Sequence, residues 1–194
     1  MPLSTAAFVV SAAASVSAAN VVANSTGHQH YKNQPQNFEI FDVGHRLIPQ
    51  INVPDAFLSV YSMVWIPFLF MMPSQAETKT LLLRMGSIYV AMMLLRAVTT
   101  LVTILPSSNA SCDGSVSWFT LIDGGCYDKI FSGHSLAAGL VSLGLVSSKV
   151  WSPLTGAAYS IGMALLLLIT RGHFTVDILL GFSMAYLGWK CKDV

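Results

Sequence analysis

Phe57-Leu58-Ser59-Val60-Tyr61-Ser62-Met63-Val64-Trp65-Ile66-Pro67-Phe68-Leu69-Phe70-Met71-Met72 lies inside a stretch, residues 56–76, without a single Lys, Arg, Asp or Glu. A run this dense in Phe, Leu, Met and Trp predicts a membrane span. Working outward, the same texture recurs. No charged residue precedes Lys32, and residues 6–23 form an Ala/Val-rich run of spanning length. Residues 81–105 are apolar around Arg84 and Arg96 and close at Pro106, where a helix would stop. Residues 134–148 form a shorter, Gly-containing run, 152–169 a Leu-rich one, and 173–189 one interrupted only by Asp177. Backbone amides in hydrocarbon must be paired within their own segment, so these runs read as helices. The expected fold is an all-α integral membrane protein: a six-transmembrane-helix bundle, with residues 1–194 as a single transmembrane domain.

Composition agrees. Charged residues make up 10% of the 194 residues against 54% hydrophobic, with a mean hydropathy of +0.62. A soluble domain carries about a quarter of its residues as charge. Disordered chains, disulfide-stapled miniproteins and basic nucleic-acid binders are thereby excluded, and the net charge of +1 gives no reason to expect a polyanionic partner. The run at 6–23 has two readings, a retained helix or a secretory signal peptide with small residues at Ala18 and Ala19 for cleavage. The missing positive n-region favours the retained helix.

With both ends cytosolic, Lys79, Lys149, Lys190 and Lys192 fall inside and Lys32, Arg46, Lys129 and Arg171 outside, a count that does not fix orientation. Two glycosylation sequons, Asn24-Ser25-Thr26 and Asn109-Ala110-Ser111, both fall on the outer side. Cys112 and Cys126 share the outer loop and could form a disulfide in an oxidising lumen or remain free thiols, while Cys191 would be a cytosolic thiol.

Ionisable groups at span ends must be hydrated, paired or functional. Two clusters stand out: Cys126-Tyr127-Asp128-Lys129-Ile130-Phe131-Ser132-Gly133-His134-Ser135, and Arg171-Gly172-His173-Phe174-Thr175-Val176-Asp177. Both enter the membrane from the outer face, so the two histidines can meet. His173 and Asp177 are four apart and share a helix face. The carboxylate can accept a proton from one ring nitrogen and leave the other free to attack. Ser132 and Gly133 precede a helix start, whose unpaired amides suit an anion such as phosphate. Arg171 could clamp phosphate oxygens. Together these groups describe phosphoryl transfer through a phosphohistidine.

The pairing of S-G-H at 132–134 with H-F-T-V-D at 173–177 resembles the sphingomyelin synthase and inositol phosphorylceramide synthase family, ceramide phosphotransferases of the lipid phosphate phosphatase superfamily. That family's signatures read C-G-D, three residues, S-G-H-T, and H-Y-T-x-D. Further likeness lies in Leu95-Arg96-Ala97-Val98-Thr99-Thr100 with Leu105-Pro106, and in the segment from Phe41 to Pro49. The resemblance spans about residues 40–190, which it marks as the catalytic core, and implies His134, His173 and Asp177 as catalytic residues. His173 would attack phosphorus, Asp177 support it, and His134 handle the alcohol proton. Diacylglycerol would depart and ceramide take the headgroup, giving sphingomyelin or a related phosphosphingolipid. Substrates would be ceramide and a glycerophospholipid such as phosphatidylcholine, at the lumenal or extracellular face of the Golgi or plasma membrane, with a homo-oligomer possible and no nucleic-acid partner. No cofactor or metal is expected; His28 and His30 resemble a metal pair but lack further ligands. Tyr127 stands where the family has Gly, Ser135 where it has Thr, and Phe174 where it has Tyr.

Arg96, about ten residues from its span end, is too deep to lack a partner. It either binds substrate phosphate or pairs with an acid such as Asp177. Arg96, Asp128, Ser132, Gly133 and Arg171 are the candidate substrate-binding residues. Asp42, His45 and Arg46 form a polar knot that either covers the site or solvates an interface. The alternatives are a lipid phosphate phosphatase and a non-catalytic multispan lipid-binding scaffold. The phosphatase branch carries an upstream Lys, six residues, Arg-Pro signature and a Pro before S-G-H; this chain lacks the first and has Phe131 at the second position. Transferase is favoured.

Overall fold

The computed structural model describes residues 3–32, 40–109 and 125–191, and every regular element among them is helical. In chain order these are α1 (Leu3–Tyr31), α2 (Val43–Leu47), α3 (Asp55–Met63), a 3-10 helix (Ile66–Met71), α4 (Gln75–Val102), α5 (Gly133–Ser147), α6 (Pro153–Ile169) and α7 (Thr175–Cys191). Serine opens three of them. Ser74 accepts from the Glu77 N–H at 3.2 Å, Ser132 from Ser135 at 3.2 Å and Ser152 from Thr155 at 3.1 Å, each satisfying an orphan amide of the first turn. Two helices end on a basic residue in the left-handed region, Lys149 after α5 (φ 60°) and Arg171 after α6 (φ 56°).

The opening stretch departs from expectation. In place of one helix across 57–72, α3 stops at Met63 and the chain continues as a 3-10 helix from Ile66. Pro67 supplies the reason: it has no N–H to donate, and its ring collides with the carbonyl four residues back. Helices α4 to α7 lie where runs 81–105, 134–148, 152–169 and 173–189 were expected, and α1 runs past 6–23 to Tyr31. Two helical stretches, Ala7–Tyr31 and Gln75–Val102, are long and apolar enough to cross a membrane; Phe57–Met71, α5 and α6 are shorter apolar segments.

Helix α5 is central. Leu136, Ala138, Leu140, Val141 and Leu145 bury against α4, α6 and α7, and α1 lies along α4. Small residues let the backbones approach. A Cβ on Gly139 would stand 2.7 Å from Ala185 Cβ, and one on Gly181 would stand 2.6 Å from the Ser132 carbonyl oxygen. Beside this apolar core the interior also holds polar groups, and large hydrophobics lie on the surface. Asn20, Asn24, Arg96, Thr100, Asp128, Lys129, Ser132, His173 and Asp177 are buried, while Phe70, Val102, Leu154, Ile161, Leu179 and Leu187 face outward. Polar groups inside and large aliphatics outside are what a hydrocarbon surround selects.

Candidate functional site

The two sequence clusters meet. The Ser132 N–H at the mouth of α5 donates to the Asp177 carbonyl at 3.1 Å, joining the S-G-H helix start to the first turn of α7. Gly181, one turn further along α7, allows that approach, since any side chain there would strike the Ser132 carbonyl.

In the second cluster, His173 Nδ1 stands 3.7 Å from Asp177 Oδ2, ion-pair range but long for a hydrogen bond. Asp177 is fully buried. Its Oδ2 accepts from the Phe174 N–H at 3.1 Å, the reach-back bond of an acid in the third helical position. His173 Nδ1 and Asp177 Oδ1 are both buried without a hydrogen-bond partner among the described residues. The Lys129 backbone and His134 both lie near enough to the His173 ring to act on its charge. His134 itself is half-buried, second residue of α5.

Beneath the first cluster, α4 takes hold of the approach loop. Arg96 Nε donates to Phe131 O at 2.7 Å, Nη2 to Asp128 O at 2.5 Å and to Asp128 Oδ2 at 3.3 Å, and Nη1 to Asn20 Oδ1 at 3.1 Å. Thr100 adds a bond to Ile130 O at 2.8 Å. The acid paired with Arg96 is therefore Asp128, and Asp128 Oδ1 also accepts from the Gly125 N–H at 2.8 Å. Ser132 spends its hydroxyl as the α5 cap. A Cβ on Gly133 would make ordinary van der Waals contact with Met93 Sδ at 3.5 Å and Tyr89 Oη at 3.9 Å.

Arg171 has partners other than a phosphate. Its guanidinium donates to Leu168 O at 2.9 Å, His45 O at 2.9 Å and Ile48 O at 3.0 Å, pinning the α2 segment to the end of α6. Asp42, His45 and Arg46 divide similarly. Asp42 caps α2 through the His45 N–H at 2.9 Å and accepts from Thr175 N–H at 2.8 Å and Oγ1 at 2.7 Å at the start of α7. Burial raises its carboxyl, but the Thr175 hydroxyl bond and the His45 and Thr175 amides outweigh it and hold the group below its ordinary value. His45 Nε2 contacts His173 O at 3.0 Å, and Arg46 is exposed over the Phe41 ring.

Three residues escaped the sequence reading. Asn20 and Asn24 lie on α1; the Ala/Val-rich run gave no reason to single out Asn20, and Asn24 was read only as part of a sequon. Asn24 Oδ1 accepts from the Tyr127 N–H at 3.0 Å and its amide donates to Asn20 O at 2.8 Å. Buried and doubly bonded, Asn24 is not presented as a glycosylation acceptor, which corrects its reading as a sequon. Asn109 is half-buried, and its sequon runs into residues outside those described. Lys129 is the third: 7% exposed, it donates from Nζ to Gly172 O at 2.8 Å. Burial holds its ammonium below the ordinary lysine value, with Asp128 and Asp177 pulling upward and Arg96 downward. Cys126 is disulfide-bonded and Cys191 is free and exposed; Cys112 lies outside the described residues.

Residues 125–193 match a family model described as PAP2 superfamily C-terminal, a segment containing both histidine clusters. The match supports the lipid phosphate phosphatase superfamily, with phosphoryl-transfer chemistry on lipids and association with membranes. No curated protein matches the chain.

Proposed function

We propose that this chain is a six-span membrane ceramide phosphotransferase, working at the outer or lumenal face of the Golgi or plasma membrane. It moves a phospho-headgroup from a glycerophospholipid to ceramide. The observation that carries the reading is the Ser132 to Asp177 backbone bond, which brings a helix N-terminus bearing His134 against the His173–Asp177 pair.

In the reaction, the Nδ1–H of His173 donates a hydrogen bond to Asp177, which holds the tautomer in which Nε2 carries the lone pair. Nε2 then attacks phosphorus, the bond to the diacylglycerol oxygen breaks, and His134 as imidazolium gives that oxygen its proton. The phosphohistidine is next attacked by ceramide's primary hydroxyl, whose proton passes to His134, and the P–N bond breaks to restore His173. The Gly133 amide and the positive end of α5 face the phosphoryl oxygens. Arg96 and Asp128 hold the loop beneath them, Ser132 caps the helix, and Arg171 borders the site from the turn before α7. The resemblance of both signatures to ceramide phosphotransferases favours ceramide over water as acceptor, as does Phe131 in place of the phosphatase branch's Pro.

The test gives purified protein in mixed micelles labelled ceramide with phosphatidylcholine, phosphatidylinositol or phosphatidylethanolamine in parallel. A phosphosphingolipid plus diacylglycerol is expected, and none from a folded His173→Ala variant. Free phosphate released from phosphatidic acid instead would identify a phosphatase, absence of both a scaffold, and normal turnover by His173→Ala would sink the phosphohistidine route.

A further inference from the structure

A phosphoryl group held between His134 and His173 carries negative charge into a buried site and needs a cation there. Among the described residues, three basic side chains around the histidine clusters are buried or half-buried, and two of them are committed. Arg96 serves Asp128, two loop carbonyls and Asn20, and Arg171 serves three carbonyls. Lys129 differs. An ammonium has three N–H donors. At 7% exposure, Lys129 uses one of them among the described residues, on the carbonyl of Gly172, the residue directly before His173. A buried ammonium with so few bonds is poorly satisfied. Its Nζ ties it to the His173 cluster through Gly172, and its backbone lies beside the His173 ring.

We infer that Lys129 binds the phosphoryl oxygens of the lipid substrate with the two donors left on Nζ. The inference rests on the phosphotransfer reading above and adds to it the residue that receives the phosphate charge. Lys129 occupies one of the three unspecified positions of the first signature, between Asp128 and Ser132. The charged and titratable groups facing it are Asp128 beside it, Arg96 from α4, Asp177 from α7 and His173. The carboxylates balance the ammonium at rest, and an incoming phosphate competes with them for it.

Full-length wild type, Lys129→Met and Lys129→Arg are compared in micelles for melting temperature with and without inorganic phosphate, and for kcat/KM across pH. Lys129→Met should lose the phosphate-induced rise in melting temperature and about 100-fold in kcat/KM, with Lys129→Arg restoring kcat/KM to within about tenfold. Raising the pH removes the wild-type ammonium, so activity should fall on an alkaline limb that Lys129→Arg moves upward. A folded Lys129→Met that keeps wild-type kcat/KM and the phosphate shift overturns the inference. If no lipid is turned over by the wild type, the proposed function fails separately, and the phosphate shift alone decides: lost in Lys129→Met it supports Lys129, retained it overturns it. Should Lys129→Met not fold, an alkaline limb unchanged in Lys129→Arg overturns it.

Discussion

Asp42 accepts hydrogen bonds at the start of two helices that are far apart in sequence, α2 and α7. Replacing it with Ala strips both caps, each worth about 1 kcal/mol; a loss of about 1–3 kcal/mol at neutral pH is expected by thermal or denaturant melts. The sign of the pH dependence follows from the depressed carboxyl. Its stabilisation is fully present above the ordinary value of 3.8 and is lost as pH falls through the lower native one. Wild type and Asp42→Ala should therefore converge on the acid side of that value, and a gap that stays constant there would exclude the ionised cap. The Thr175 partnership was not legible in the sequence, because Asp42 and Thr175 are 133 positions apart.

At the scale of elements, α1 and the first histidine cluster are fitted to each other. Tyr127 stands where the resembling family has Gly. Its ring stacks on Tyr31 at 5.8 Å with the planes 7° apart, its amide bonds Asn24, and a Cβ on Gly27 would meet its ring at 2.5 Å. The departure from the signature is thus absorbed by a notch in α1, and a helix that reads as a signal-like run holds the loop leading to His134. A second close fit is α5 on α7. Gly139→Leu would push a branched side chain into Ala185 and is expected to cost about 1–3 kcal/mol in a denaturation melt. Unchanged stability would mean that the two helices can move apart without loss.

At the scale of the whole molecule, the proposed six-span arrangement sets the histidines and Cys191 at opposite ends of α7, about 25 Å apart along its axis. Cys191 is exposed and free. A membrane-impermeant maleimide should label it only after permeabilisation if the site faces outward or to the lumen. Labelling of Cys191 in intact cells would reverse the orientation.

Composition and spacing carried much of this protein by themselves. Scarcity of charge, the helical runs and the residue content of both histidine clusters are local properties, readable wherever hydropathy and short motifs stand in the chain. The break at Pro67 was legible in the same way and was overridden in the reading by the apolar density around it. Other features required the tertiary structure, because buried polar groups choose partners by three-dimensional reach. Arg96 pairs with Asp128 instead of Asp177, Arg171 spends its guanidinium on carbonyls, Asn20 and Asn24 join α1 to the site, and Lys129 is brought beside His173. A buried polar side chain must be satisfied by whatever group the fold brings within about 3 Å, and that group need not be near it in sequence.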